Sequence, residues 1–309
     1  MSEYRVAQVA TLLRHASMST TYKPALLKAL VRVCRRTNAL VIPLTELGHQ
    51  FASMYWNQTV VYHLRQAAVV TKEAEVVRRI HALSGQYAAR SFAELPVVGR
   101  DRVEASMSQL LALDVLRRFH NSKPDEMPLL YEWSAGSSAI ELTKDSRAFL
   151  RDHGQMLEVL ANYHWADYLE GCNRLTPRII QKVARDGAKR GSLTKYLRIL
   201  LEDGDRKCFY CERPFTPDNK AAVDHVIPWS FLLEDPLWNL VPACTRCNGA
   251  KSDWLPDAKY IDRLLVRNTD AARTTFDGKV SFMAGADDVR GLYDAAISVN
   301  WPGYWAIEK

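Results

Sequence analysis

Residues 208–253 read CFYCERPFTPDNKAAVDHVIPWSFLLEDPLWNLVPACTRCNGAKSD, and this stretch decides how the C-terminal part of the chain folds. It begins with one Cys-x-x-Cys pair and ends with another, and an adjacent acid and imidazole, Asp224 and His225, lie between them. Closely paired thiols are typical of metal sites in a reducing compartment. The pattern therefore indicates a metal-dependent site.

The two cysteine pairs have the spacing of two zinc knuckles. Four thiolates can hold one tetrahedral structural zinc ion, with two sulfurs from each knuckle. The pairs are 32 residues apart, more than the 15–20 typical of a simple zinc ribbon, so we expect a structured insert between them. Disulfide pairing is the alternative, and a reducing cytosol disfavours it. The predicted ligands of the zinc ion are Cys208, Cys211, Cys244 and Cys247.

Composition and length are those of an ordinary soluble protein. The chain has 309 residues, of which 48% are apolar and 25% charged, enough to fill a sizeable core. We find no secretory signal at the N-terminus and no apolar run of the ~18–20 residues that a membrane-spanning helix needs. The sequence predicts a cytoplasmic protein that does not engage a membrane.

Positive charge is concentrated just before and within the first knuckle. Between Arg174 and Arg213 there are eleven Lys or Arg and five Asp or Glu, which accounts for the net charge of +6. Such a segment beside a metal site favours a polyanionic partner, since phosphate contacts supply most sequence-independent affinity for nucleic acid. A solvated helical face is the simpler alternative. The candidate phosphate-contacting residues here are Arg178, Lys182, Arg185, Lys189, Lys207 and Arg213.

Hydrophobic periodicity predicts a mainly helical chain. A small β-hairpin is predicted over 129–143. The stretch 174–202 is predicted to be one helix, or two helices broken near Gly187–Gly191, and its cations at 178, 182, 185 and 189 are spaced to share one face of a helix. We expect four parts. These are a largely helical N-terminal domain (1–172), a basic connecting helix (173–202), the metal-binding domain (203–258) and a C-terminal helical extension (259–309).

The insert carries the groups that hydrolytic chemistry needs. A neutral imidazole, with a pKa of roughly 6.5, suits removal of a proton from water, and His225 is the last histidine of the chain. Asp224 supplies a hard oxygen for an ion such as Mg²⁺. Asn239 and Asn248 offer amide oxygens, which can bind a metal or hold a loop.

Over residues 206–255 the sequence resembles the HNH endonuclease family. The motifs that carry the resemblance are, in order, C-x2-C, D-H-V-I-P-W-S, W-N-L-V-P-A-C-x2-C and N-x-x-K-S-D. The resemblance implies a small α+β domain of the ββα-metal type near the C-terminus of a mainly α chain. It further implies that His225 is the general base, that Asp224 and Asn248 hold one catalytic divalent ion, and that Asn239 orients the hairpin. Asn at the last family position favours Mg²⁺ or Mn²⁺.

The implied reaction is hydrolysis of DNA phosphodiester bonds, by nicking or double-strand cleavage. Lys251, one helical turn after Asn248, is a further candidate for phosphate contact. Three outer features are the sequence YKPALLKAL at 22–30, the aromatic pair Tyr55-Trp56 and a tail with LYDAA at 292–296 and WP at 301–302. They resemble segments of bacterial HNH proteins of anti-phage and restriction systems, which implies a defence role. Other subunits of a defence system, bound through the N-terminal helices, or a second copy of this chain are candidate partners. The alternatives are a non-catalytic zinc-stapled nucleic-acid-binding module and a partner-activated subunit.

Overall fold

The computed structural model of the chain describes residues 2–15, 21–68, 73–87, 89, 91–120, 130–185, 191–202, 206–273 and 285–307. The chain divides into two compact units. The first comprises Met1–Arg174 and Ile179–Ala188, and the second Leu175–Arg178 and Lys189–Lys309. The division falls within the basic stretch that the sequence singles out.

The first unit is mainly helical, as predicted. Two short π-helical segments, Asn57–Val61 and Leu111–Val115, continue the third and fifth helices. The α-helices are α1 Ser2–His15, α2 Tyr22–Arg36, α3 Leu44–Trp56, α4 Glu75–Ser84, α5 Val97–Leu110, α6 Leu116–Phe119, α7 Lys144–Asp152, α8 Gly154–Cys172 and α9 Ile179–Ala184.

Apolar residues at helical spacing determine the core of this unit. In α2 the interior residues of the sequence YKPALLKALVRVCRR are almost all buried, and α2 packs on α8 and on α3. Burial on this scale is favourable because it removes apolar surface from water. The N-terminal unit therefore has a hydrophobic core of its own.

Two short strands complete the first unit. Strand β1 (Val41–Pro43) pairs antiparallel with β2 (Ala139–Glu141). The hairpin predicted over 129–143 is reduced to one bridge between Glu132 and Glu141, closed by a turn in which Gly136 has a φ of 89°. Instead, β2 pairs mainly with β1, a long-range contact that local alternation does not reveal.

Among the described residues the basic stretch holds two helices, one of the two arrangements that the sequence predicts. The described residues of this stretch form α9 and, in the second unit, α10 (Thr194–Glu202). Arg178 precedes α9 with a φ of 58°, and Lys182 is only 1% exposed. The prediction that Arg178 shares a helical face with Lys182 is therefore wrong, because α9 begins only after Arg178, whose backbone is left-handed, and Lys182 is buried.

The second unit is built on a hairpin followed by a helix. Strands β3 (Ala221–His225) and β4 (Leu240–Cys244) pair antiparallel, with Asp224 opposite Val241 and His225 opposite Leu240. The helix α11 (Trp229–Leu232) and a 3₁₀ turn (Leu237–Asn239) lie between them, and α12 (Thr245–Lys251) follows directly. This ββα order confirms the predicted small α+β domain.

The C-terminal residues belong to the same hydrophobic core. Strand β5 (Leu255–Pro256) pairs in parallel with β6 (Tyr304–Trp305), and helices α13 (Ala258–Arg273) and α14 (Ala286–Ser298) lie between them. Tyr260, Val289 and Trp301 pack with residues of the hairpin in one cluster. The extension thus stabilises the ββα unit by direct packing.

Within the described ranges, we find no helix with the length and apolar character required to cross a membrane.

Candidate metal centre and active site

The four predicted zinc ligands lie together. Their sulfur atoms are all within 4.8 Å of one another, and three of the four cysteines are buried. A tetrahedral zinc ion with Zn–S bonds of ~2.3 Å places its sulfurs about 3.8 Å apart, close to the 3.9 Å between Cys211 Sγ and Cys244 Sγ. The donor set therefore fits one zinc ion.

Backbone geometry presents these sulfurs from two tight turns. In the first turn, the Cys208 amide donates to the Arg213 carbonyl and the Glu212 amide to the Cys208 carbonyl, both at 2.9 Å. In the second, Cys244 caps α12 and its sulfur accepts from the Cys247 amide at 3.4 Å. Each turn directs a pair of sulfurs toward the same point, as zinc knuckles do.

Ionisation of the Cys247 thiol is unfavourable in this environment. Burial, followed by hydrogen bonding to Cys244 and the other neighbouring sulfurs, raises the pKa of the Cys247 thiol well above its usual range. A buried group of closely spaced thiolates would be strongly unfavourable without a compensating positive charge. This chemistry agrees with a structural metal.

Asp224 is held in the interior beside the zinc knuckles. It is 3% exposed. Its Oδ2 accepts a hydrogen bond of 2.6 Å from the Tyr210 hydroxyl and lies 3.2 Å from Lys251 Nζ. Burial, followed by the charge of Asp224, raises the pKa of the Tyr210 hydroxyl far above its usual range, so Tyr210 is a hydrogen-bond donor to this carboxylate.

Lys251 connects the helix to both residues of the Asp-His pair. It is 0% exposed, and its ammonium group donates to the backbone carbonyl of His225 at 2.7 Å while facing Asp224. A fully buried lysine requires such partners, because its charge is otherwise very costly to desolvate. In this conformation Lys251 is an internal counter-ion to Asp224 and does not reach outward to phosphate.

His225 has its own carboxylate partner. The ring is buried, and its Nε2 lies 2.8 Å from Oδ1 of Asp235, whose side chain is 27% exposed. Asp224 and His225 are neighbours in a regular ladder and so project to opposite faces of the hairpin. Sequence reasoning does not single out Asp235, for which the sequence signal is an acid ten residues after the histidine.

Asn239 holds the backbone that follows β3. Its Oδ1 accepts from the Ile227 amide and its Nδ2 donates to the Ile227 carbonyl, both at 2.8 Å. The backbone amide of Val226 also donates to the Asn239 carbonyl at 3.0 Å. These three bonds fix the chain immediately after His225.

Asn248 lies in α12, half-buried, one residue after Cys247 and one turn before Lys251. Helical residues three apart lie on the same side of a helix. Asn248 therefore lies on the side of α12 from which Lys251 reaches Asp224.

The predicted phosphate-contacting residues differ in how far they are exposed to solvent. Arg178, Arg185 and Arg213 are exposed and Lys207 is half-buried. Arg178 forms an ion pair with Glu234. Lys182 is in the interior of the first unit, where it cannot contact a nucleic-acid backbone in this conformation, and Lys189 lies outside the described residues.

The fold and the four-cysteine site define the class of this part of the chain. The family model described as HNH endonuclease matches residues 208–257, which confirms the resemblance expected from the sequence and makes this region an HNH endonuclease domain. A second family model, described as a domain of unknown function (DUF8808), matches residues 2–161, just over half of the chain. The chain belongs to that family. Comparison with curated proteins and with solved structures returned no match.

Proposed function

We propose that this protein is a metal-dependent endonuclease that hydrolyses phosphodiester bonds of DNA. The observation that carries the proposal is the arrangement inside the HNH-matching ββα unit. There, the His225 imidazole is hydrogen-bonded to the Asp235 carboxylate. A second carboxylate, that of buried Asp224, lies beside helix α12, which carries an amide side chain. The four-cysteine site lies in the same unit. An HNH domain implies a nucleic-acid substrate.

In this mechanism neutral His225 is the general base. It takes a proton from water as the water oxygen forms a bond to phosphorus, and the bond from phosphorus to the leaving oxygen breaks. Asn239 fixes the peptide that follows His225, so that the imidazole is held in place by the backbone. Preorganisation of this kind lowers the barrier because the base need not be ordered during the reaction.

Asp224 and Asn248 are the residues that would hold the catalytic ion. Both offer oxygen ligands, which Mg²⁺ and Mn²⁺ prefer. When bound, the divalent ion supplies positive charge that neutralises the phosphate and the leaving oxygen. The two contacts described for Asp224 engage Oδ2, and we assign Oδ1 to the ion.

Arg178, Arg185, Lys207 and Arg213 are the proposed contacts to the DNA backbone. They carry positive charge at or near the surface and would position the substrate without reading its sequence. Lys182 and Lys251 are not part of this set, since the interior holds both.

The test is cleavage of supercoiled plasmid by the full-length zinc-loaded chain with Mg²⁺ or Mn²⁺. We expect nicked or linear product, and a loss of at least about 100-fold in rate for His225→Ala, since general-base catalysis contributes roughly 10²–10⁴-fold. His81→Ala is the matched control, because His81 is exposed on α4 and pairs with Glu73. Zinc content and circular dichroism of each variant report whether the fold is retained.

Two results would overturn the proposal. Equal cleavage by the wild type and by folded His225→Ala would remove His225 as the base. The second result is salt-dependent binding of DNA with no turnover in any divalent ion or with any partner. It would assign the chain to the alternative, a zinc-stapled nucleic-acid-binding module. In that module Asp224 and Lys251 form only a structural ion pair.

The N-terminal unit is proposed to engage other subunits of a defence system, or a second copy of the chain, and to restrict cleavage to foreign DNA. This proposal derives from the resemblance of the outer segments to those of bacterial anti-phage proteins. Its test is the plasmid assay repeated with candidate partners, in which a partner-activated enzyme gains activity and an autonomous one does not.

A further inference from the structure

The contact between Asp235 and His225 joins a buried ring to a partly exposed loop. Asp235 Oδ1 is 2.8 Å from His225 Nε2, the distance of a charge-assisted hydrogen bond. Nε2 donates in this pair, since an ionised carboxylate can only accept. A neutral imidazole whose Nε2 carries the proton has its basic lone pair on Nδ1.

The loop that carries Asp235 is fixed at both ends. On one side, Leu233 ends α11 in the left-handed region with a φ of 56°, and its amide donates to the Trp229 carbonyl at 2.6 Å. On the other side, Pro236 caps the 3₁₀ turn, and its carbonyl accepts from the Asn239 amide at 2.9 Å. The carboxylate therefore approaches the ring from a defined position.

Asn239 ties this loop to the strand that carries His225. The same residue that closes the 3₁₀ turn makes both side-chain bonds to Ile227, two residues after the histidine. Hydrogen bonds of Asn239 thus connect the backbone next to His225 with the loop that carries Asp235, and the backbone sets the distance between the two residues.

We propose that Asp235 is the positioning residue of the nuclease: its carboxylate accepts the Nε2 proton of His225 and so presents Nδ1 to the attacking water. This inference rests on the proposed function. The proton released by water moves to Nδ1, which gives an imidazolium that Asp235 stabilises by its charge; the imidazolium later returns the proton to solvent. Asp235 touches neither the water nor the phosphate.

A carboxylate that orients a catalytic imidazole changes the rate without changing substrate binding. Removing such a partner from a functional ligand or base typically costs about 10- to 100-fold. We therefore expect Asp235→Ala to lower kcat by about 10- to 100-fold at unchanged KM. Asp235→Glu should recover part of that loss, because it restores an acceptor on a longer side chain.

The experiment uses the full-length zinc-loaded chain with supercoiled plasmid, and compares the wild type with Asp235→Ala and Asp235→Glu. Asp262→Ala is the matched control: Asp262 is an exposed carboxylate of the same unit that pairs with Arg290. Selective ¹⁵N labelling of histidine supplies a readout that does not depend on activity. The His225 signals, assigned by their loss in His225→Gln, should show the Nε2-protonated tautomer in the wild type and a mixture of tautomers in Asp235→Ala.

Each outcome is decisive. An active wild type with an equally active, folded Asp235→Ala would overturn the inference while the nuclease stands. Higher activity of Asp235→Ala would also overturn it, because the loop would then restrain the base instead of orienting it. An Nδ1-protonated His225 in the wild type would contradict the assigned hydrogen bond. An inactive wild type that keeps the Nε2 tautomer would refute the proposed function but leave the pairing intact.

Discussion

Lys251 extends from α12 into the interior, where its ammonium group meets the Asp224 carboxylate and the His225 carbonyl. The three groups satisfy one another, and Asp224 and Lys251 are 3% and 0% exposed. Removing one member of a buried ion pair leaves the other charged and uncompensated, which typically costs about 3–5 kcal/mol.

We therefore expect Lys251→Met to lower the free energy of unfolding by about 3–5 kcal/mol, measured by urea denaturation of the zinc-loaded protein. The exposed Lys220→Met is the control and should change it by less than about 0.5 kcal/mol. Adding Asp224→Asn to Lys251→Met should restore part of the loss, since the orphaned charge is then gone. No recovery in the double variant would show that packing of the lysine stem, not the ion pair, matters there.

For individual residues of the site, the sequence predicts the residue types better than the side-chain contacts that those residues make. The cysteine spacing predicted a four-sulfur cluster because the chemistry of a zinc knuckle is local to each turn. The sequence does not connect Tyr210 with Asp224 or Asp235 with His225, since each contact depends on how a loop folds back on the hairpin. Lys251 matched a family position, but only the fold shows that it points inward.

Among the secondary-structure elements, the basic stretch shows why helical spacing is an incomplete guide. Periodicity placed Arg178 and Lys182 on one face of one helix, whereas α9 begins only after Arg178, and Lys182 is buried. Spacing predicts which residues share a face only where the helix is continuous. It does not state whether that face is turned toward solvent or toward the core.

Exposed and buried cations of this stretch are expected to contribute differently to DNA binding. We expect Arg213→Ala to weaken DNA binding and to reduce the slope of log K against log salt by about one, because one phosphate contact is lost. Lys182→Ala should leave the slope unchanged and instead destabilise the first unit, from whose interior it removes a charged group. Binding measured by fluorescence anisotropy at several salt concentrations, with thermal unfolding alongside, checks both. A reduced slope for Lys182→Ala would mean that the lysine leaves the interior when DNA binds.

The hairpin over 129–143 gives a second example among the elements. Alternation and a Gly/Ser turn predicted two paired strands, yet β2 pairs mainly with β1, about a hundred residues earlier in the chain. By contrast, the ββα order was predictable because the cysteine pairs mark its ends. Local chemistry determines a turn, while the partner of a strand depends on the whole core.

The chain consists of two compact units, and among the described residues the four-cysteine cluster that fits a metal ion lies in the second. The core of the first unit is filled by apolar side chains of helices such as α2 and α3. In the second unit, Cys208, Cys244 and Cys247 are members of the hydrophobic cluster that also contains the C-terminal helices. We therefore expect metal binding and folding to be coupled in the second unit.

This organisation predicts two calorimetric transitions for the full-length chain, of which a strong zinc chelator lowers only one. Elemental analysis should give about one zinc per chain, lost together with the chelator-sensitive transition. Cys208→Ser and Cys247→Ser should reproduce that loss without chelator. Cys172→Ser, outside the cluster and in the first unit, is the matched control and should keep both the zinc and the transition. A single transition that shifts as a whole on chelation would show that the two units unfold as one, and that zinc stabilises the entire molecule.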